Sequence, residues 1–233
     1  MRLILARHGN TFGPGDKVCW VGSRNDLPLV ESGLNQAKAA AAALADVSLS
    51  AIYCAPLKRT REFAQIVAQA QRSNVDVQFD ARLTELDYGE WSGLTDDEIK
   101  ETFGSQTLSD WVEKSIFPQN CGWPSREQII AEVRDFAEHI KATHPPEANI
   151  LAVSSNGRLR FFAKLVAGEF EKRQAERSLK VGTGKLGILE LNTDPQANCL
   201  SLWNGQPEAL KEALACSSSS ASCLSAKKDR DSK

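Results

Sequence analysis

The chain has 233 residues, with 28 Lys plus Arg against 30 Asp plus Glu and a formal net charge of −2. That near-balance excludes binding nucleic acid through a broad basic surface, while leaving room for a local basic pocket. No apolar run reaches the roughly 18 residues a membrane-spanning helix requires, and Arg7 and His8 interrupt the apolar start too early for a signal peptide, so a cytoplasmic protein with no membrane or nucleic-acid partner is expected.

Residues 2–6 are a short apolar run ending at Arg7-His8-Gly9, the pattern of a buried parallel strand. The stretch 12–26 holds three glycines and a proline and reads as a long loop. Residues 32–45 are alanine-rich, with Ser32 available as a cap, and predict a helix. Residues 50–54 are a second buried strand, and Pro56 behind them suits the first turn of a helix running to 71. An alternating stretch, 75–79, follows as a third strand. Over 128–143, Ile129, Ile130, Val133, Phe136 and Ile140 recur at helical spacing. Residues 149–154 form another buried strand and 158–167 the helix after it. Two late strands, 186–191 and 199–203, could pair.

Strands alternating with helices predict an α/β fold with a mostly parallel central sheet. The length suffices to bury a core without a disulfide or zinc staple. The six cysteines (Cys19, Cys54, Cys121, Cys199, Cys216 and Cys223) form no C-x-x-C pair and are expected as reduced thiols. Residues 217–225 are serine-rich and 226–233 charged, so one domain over 1–215 and a disordered tail over 216–233 are expected.

A G-x-G-x-x-G match at Gly182 to Gly187 is set aside. A dinucleotide fingerprint must follow a strand and open a helix. Here a charged helix-like stretch precedes it and a strand follows, which is a glycine turn.

The chemistry concentrates at three places. Just past the first strand stands Arg7-His8-Gly9-Asn10-Thr11, at the sheet edge where open α/β folds bind ligands. Histidine can attack phosphorus, provided its other ring nitrogen is held. Arg7 offers a planar fork to phosphate oxygens and Thr11 a hydroxyl, while Gly9 admits a close backbone approach. The second place is Pro56-Leu57-Lys58-Arg59, at a helix start that favours an anion within reach of Arg59. The third, Leu83 to Gly93, offers a carboxyl, from Glu85, Asp87 or Glu90, among apolar and aromatic neighbours such as Tyr88 and Trp91, the setting of a general acid.

Together, in this order, these pieces resemble the histidine phosphatase superfamily, in the branch of cofactor-dependent phosphoglycerate mutases and small phosphatases. The segment from Asp26 to Ala37 and the stretch Leu202-Trp203-Asn204 with Pro207 fit as well, so the likeness covers residues 1–210. The resemblance implies a three-layer α/β/α sandwich of the phosphoglycerate mutase kind and a histidine acid-type phosphatase working through a phosphohistidine. His8 would attack the phosphoryl group in line, Arg7 and Arg59 would hold its oxygens, and Glu85 would protonate the leaving alcohol and then activate water. No metal and no cofactor are expected: besides His8 only His139 and His144 remain, in the context of a surface helix end. Residues 94–127, with Trp111, Phe117, Trp123 and Arg126, would cover the substrate. Their aromatics read first as the core of a helical cap, and Lys100 and Lys114 as surface lysines. Gly22 on the loop after the first strand, Tyr88 and Arg158 are the expected substrate contacts, and the expected partner is a small phosphorylated metabolite such as a sugar phosphate. The sequence carries no signal for oligomeric state.

One departure stands out. The family carries a second histidine in a Ser-His-Gly-x-x-x-Arg context. Here the stretch reads Ser154-Ser155-Asn156-Gly157-Arg158-Leu159-Arg160, and counting back from Arg160 places Ser155 at the histidine position. A neutral hydroxyl gives a hydrogen bond about half as strong as a charge-assisted one. Ser155 and Asn156 are the expected phosphate donors there. Two readings follow: an active phosphatase with a remodelled oxyanion side, or a phosphate-ester-binding regulator that has lost turnover. Mutase activity ranks below both.

Overall fold

The computed structural model describes residues 1–215; the tail expected over 216–233, with Cys216 and Cys223, lies outside the described residues. Six strands, β1 (Arg2–Arg7), β2 (Ala51–Cys54), β3 (Val77–Phe79), β4 (Asn149–Ser154), β5 (Leu186–Glu190) and β6 (Cys199–Gly205), form one sheet in the order β3-β2-β4-β1-β5-β6. β3, β2, β4 and β1 run parallel. β5 pairs antiparallel with β1, and β6 antiparallel with β5, so the two late strands do pair.

Helices accompany the sheet: α1 (Glu31–Leu44), α2 (Lys58–Gln69), α3 (Asp96–Phe103), α4 (Ser105–Lys114), α5 (Arg126–Thr143), α6 (Asn156–Leu159) and α7 (Glu169–Ala175), and the last described residues, 210–215, are helical as well. The apolar run of β1 is buried on both faces because alternate side chains enter different halves of the core. Ile4 and Ala6 join Ala37, Ala40, Ala41 and Leu44 of α1 and Phe63, Ala64 and Val67 of α2. Leu3 and Leu5 join Ile129, Val133, Phe136 and Ile140 of α5. That arrangement is the expected three-layer sandwich. The alanines of α1 let its axis approach the sheet closely, at little cost in side-chain entropy.

Three local expectations are corrected. The residue capping α1 is Val30, which makes no side-chain cap bond, and Ser32 lies inside the first turn, where its Oγ accepts from Asn10 Nδ2 at 3.2 Å. Helix α2 starts two residues after Pro56, and its Lys58 N–H donates to Asp26 Oδ1 at 2.6 Å, so that N–H is satisfied from the distant loop between β1 and α1. The helix expected over 158–167 is one α-turn, α6, continued as a 3-10 stretch at Arg160–Leu165. Residues 157–163 are all buried. A segment covered on every side follows its packing partners rather than one amphipathic stripe. The glycine turn before β5 is as expected, with Gly184 at φ +71°.

The aromatics of 94–127 do form a packed cap. Trp111 is fully buried, with ring centroids 4.7 Å from Trp123 and 5.2 Å from Phe117. The cluster continues into the Glu85 region, Trp123 lying 4.8 Å from Tyr88 and 5.1 Å from Trp91. Trp20, on the loop after β1, closes it at 5.0 Å from Tyr88. Lys100 and Lys114 pair locally with Asp97 and Asp110, and Arg126 lies over the Phe170 ring at 5.2 Å.

Candidate active site

β1 and β4 run side by side with Arg7 opposite Ser154. His8 and Ser155 therefore leave the same sheet edge as neighbours, and the His8 N–H donates to the Ser154 carbonyl at 3.1 Å. β2 ends at Cys54 on the same edge, and the start of α2 brings in Arg59. This is the carboxyl edge of the parallel strands, where open α/β sheets place their ligands.

His8 is buried, and its Nδ1 lies 2.7 Å from the Gly9 carbonyl. A carbonyl only accepts, so Nδ1 carries the proton and Nε2 keeps its lone pair. Burial, then the charges of Arg7 and Arg59, push the imidazole pKa well below its usual 6.5, against the opposing pull of the Gly9 bond. The ring is thus neutral, fixed in one tautomer and flanked by two cations. Gly9 admits the close backbone approach expected of it, toward a helix. A Cβ there would lie 2.3 Å from the Gly33 carbonyl of α1, so the glycine lets the His8 loop dock against a helix.

Arg7 Nη1 donates to the Val181 carbonyl at 2.7 Å, and its Nε is buried with no partner among the described residues. Arg59 is buried and donates from Nη1 to the Asn25 carbonyl at 2.9 Å and from Nη2 to the Gly22 carbonyl at 2.8 Å. Each guanidinium has five N–H groups, so each is clamped in place with donors to spare. Burial lowers the pKa of both, and the nearby Glu85 charge opposes that shift in both.

Glu85 is 8% exposed and lies on a segment between two 3-10 turns, with no strand to hold it. Its carboxylate is gripped by backbone donors: Oε1 accepts from Leu86 N at 2.9 Å and Arg158 N at 3.1 Å, and Oε2 from Gly157 N at 3.2 Å. Gly157 is required for that approach. A Cβ there would stand 2.5 Å from both Glu85 Oε1 and the Tyr88 hydroxyl. The phenol of Tyr88 is raised well above its usual pKa, first by burial and then by the Glu85 charge.

The other expected site residues divide. Ser155 is 1% exposed and its Oγ has no hydrogen-bond partner among the described residues, at the strand end beside His8. Thr11 follows on the His8 loop, half-buried. Gly22, at φ +59°, brings its carbonyl to Arg59. Asn156 is held through its oxygen: Oδ1 accepts from the N–H of Val181 at 2.9 Å, the residue whose carbonyl holds Arg7. Arg158 was expected to meet substrate; two of its guanidinium N–H groups are committed within the chain. Nε donates to the Thr84 carbonyl at 2.9 Å and Nη1 to Glu132 Oε2 at 2.6 Å. Sequence reasoning missed Glu132, Thr84 and Val181. Glu132 reads as one more polar residue of α5, and a carbonyl that accepts a guanidinium leaves no trace in residue type.

His139 is exposed on α5, and His144 follows its end, with Nε2 2.9 Å from the Tyr53 hydroxyl. Among the described residues no group of three or more His, Cys, Asp or Glu side chains is placed to hold a metal ion. The four described cysteines, Cys19, Cys54, Cys121 and Cys199, are unpaired. No helix among the described residues is long and apolar enough to cross a membrane.

Comparison with known proteins places this geometry. The chain is 32% identical over 145 residues to phosphoserine phosphatase 1 of Hydrogenobacter thermophilus, covering 62% of this chain and 66% of that one. It is 33% identical over 195 residues to a 2,3-bisphosphoglycerate-dependent phosphoglycerate mutase of Rhizobium meliloti, covering 82% and 90%. The native structure of a mycobacterial glucosyl-3-phosphoglycerate phosphatase superposes with a TM-score of 0.74 at 25% identity, over 88% of this chain and 99% of that one. The family model of the histidine phosphatase superfamily, branch 1, matches residues 3–205. An edge-mounted neutral histidine between two clamped arginines, on this sheet and with these relatives, places the chain in the histidine phosphatase superfamily.

Proposed function

We propose that this chain hydrolyses phosphomonoesters of small metabolites through a phosphohistidine on His8, without a metal ion. The observation that carries the reading is the Nδ1 bond to Gly9, which leaves Nε2 as a neutral nucleophile between Arg7 and Arg59. In the first step Nε2 forms a bond to phosphorus as the ester oxygen leaves, and Glu85, which enters this step protonated, gives that oxygen its proton and is left as the carboxylate. In the second step the Glu85 carboxylate takes a proton from water, which attacks phosphorus and frees His8 and inorganic phosphate. The spare N–H groups of Arg7 and Arg59 meet the charge on the transferring oxygens, with the Ser155 hydroxyl and Thr11 beside them. Residues 94–127 form the wall over the substrate, with Tyr88 part of it, within a single domain over 1–215. Relatives include both a phosphatase and a mutase, and hydrolysis fits better because the Gly89 to Gly93 stretch resembles the phosphatase members.

The test is hydrolysis of a generic aryl phosphate with EDTA present, beside His8→Ala. Activity that survives chelation and vanishes in the variant is the expected result. A second reading rests on Ser155: a folded protein that binds phosphate but turns over no faster than His8→Ala is a phosphate-ester-binding regulator.

A further inference from the structure

We propose that Arg158 is a positioning residue that sets the Glu85 carboxyl for proton transfer, with Glu132 as its anchor. The inference rests on the phosphatase reading of the same pocket. Arg158 grips the Glu85 segment twice. Its backbone N–H donates to Glu85 Oε1 at 3.1 Å, and its Nε donates to the carbonyl of Thr84, the residue before Glu85, at 2.9 Å. Its third bond, Nη1 to Glu132 Oε2 at 2.6 Å, fastens the guanidinium to α5. The residue is 5% exposed, so neither bond to the Glu85 segment competes with bulk water.

The segment needs such a clamp. Residues 84–88 belong to no strand or helix, so no backbone ladder fixes them. Ser154 Oγ holds the Leu83 carbonyl from one side at 2.6 Å. Arg158 holds the next carbonyl from the other. A planar guanidinium can direct separate N–H groups at a carbonyl and a carboxylate at fixed angles, which a lysine ammonium cannot do as rigidly. The pair also crosses two core elements. Glu132 belongs to α5, which packs under the sheet, while Arg158 sits in the turn that follows β4. Glu85 is therefore referenced to the sheet edge that carries His8 and Ser155, and to α5 as well. A displacement on the order of 1 Å from a positioning defect can cost about a hundredfold in rate.

Leaving-group dependence separates positioning of an acid from general loss of structure. A nitrophenolate leaves without help, whereas an alkoxide must be protonated as the bond to phosphorus breaks. Arg158→Ala is expected to lower kcat/KM for an alkyl phosphate by at least about tenfold, within the range general acid catalysis supplies. For nitrophenyl phosphate the loss should stay within about threefold, because that step draws little on the acid. Arg158→Lys, which keeps a cation for Glu132, should recover part of the alkyl-ester loss. Glu132→Gln leaves the fold least disturbed and should reproduce the same skew in smaller measure, which keeps the test open if Arg158→Ala fails to fold. Equal losses on both esters, or none, overturn the proposal. If the unmodified protein hydrolyses neither ester, the phosphatase reading fails on its own. Positioning is then read from the crystal structure of Glu132→Gln. The Glu85 carboxyl should be displaced from its bonds to the Gly157 and Arg158 N–H groups, and an unmoved carboxyl overturns the proposal.

Discussion

His8 is buried beside two arginines, and its imidazole gives up a proton far more readily than a free histidine. The sign of the consequence is fixed. Below pH 6.5 the unfolded chain takes up a proton at this position that the folded chain refuses until the lowered pKa is reached. Stability from this residue is therefore complete above pH 6.5 and falls as pH drops, by about 1.4 kcal/mol per unit through that window. Comparing urea unfolding of the native chain and His8→Ala between pH 7 and 5 checks it; the native chain should lose more. The same shift keeps Nε2 nucleophilic in mild acid, so loss of kcat/KM near pH 6.5 should not trace to His8. Ser155 belongs to this scale too. Its buried hydroxyl has no hydrogen-bond partner among the described residues, and to a bound phosphate ester it could offer only a neutral bond. Ser155→His would put a charge-assisted donor there, and a rise in kcat of about tenfold is expected, because a single donor in such a site is worth that much or more. A fall in kcat would mean that the surroundings of Ser155 have closed around the smaller side chain.

At the scale of elements, the site is assembled by close approaches between segments. Gly9 and Gly33 stand against each other where the His8 loop meets α1; a Cβ on Gly33 would lie 2.2 Å from the Asn10 carbonyl. Gly9→Ala forces backbone against backbone, which no rotamer change relieves. It should destabilise by about 1–3 kcal/mol, as overpacking does, and displace His8 enough to lower activity. The check is thermal unfolding alongside phosphate affinity. Much of this scale was readable beforehand. β1, β2, β4 and α5 announce themselves because strands buried on both faces are nearly continuous apolar runs, and α5 repeats its apolar residues at helical spacing. The segment after β4 was not readable. Its residues are buried on all sides, so periodicity vanishes just where α6 passes into a 3-10 stretch.

For the molecule as a whole, the aromatic cap and the sandwich act as one body. Trp111 packs against Tyr88, Phe117 and Trp123, and its carbonyl accepts from Arg160 Nη1 at 2.7 Å. Arg160 is 1% exposed, lies over the Trp111 ring at 4.9 Å, and is pushed down to about 10 by burial. Trp111→Ala should therefore cost about 3–5 kcal/mol, the range for large aromatics in cores, measured by denaturant unfolding. Because Tyr88 touches both Trp111 and the Glu85 surroundings, the same variant should also lose activity under conditions where it stays folded.

What the sequence by itself determined is the set of parts: the alternating strands and helices of an α/β chain, a histidine at the end of the first strand, two arginines, a glutamate among apolar neighbours, and a serine where the family resemblance expects a histidine. These are local facts. Each rests on residue type and spacing within a few positions, and short-range sterics and hydrophobic period act on that length. Only the tertiary structure decided how the parts are held. Gly9 faces a helix, Asn156 accepts from the Val181 amide, and Arg158 is bound to Glu132, 26 residues away in the chain. Such bonds depend on which carbonyls and carboxylates the folded chain brings within 3 Å. Residue type does not encode that distance; the packing of the sheet against α1 and α5 sets it.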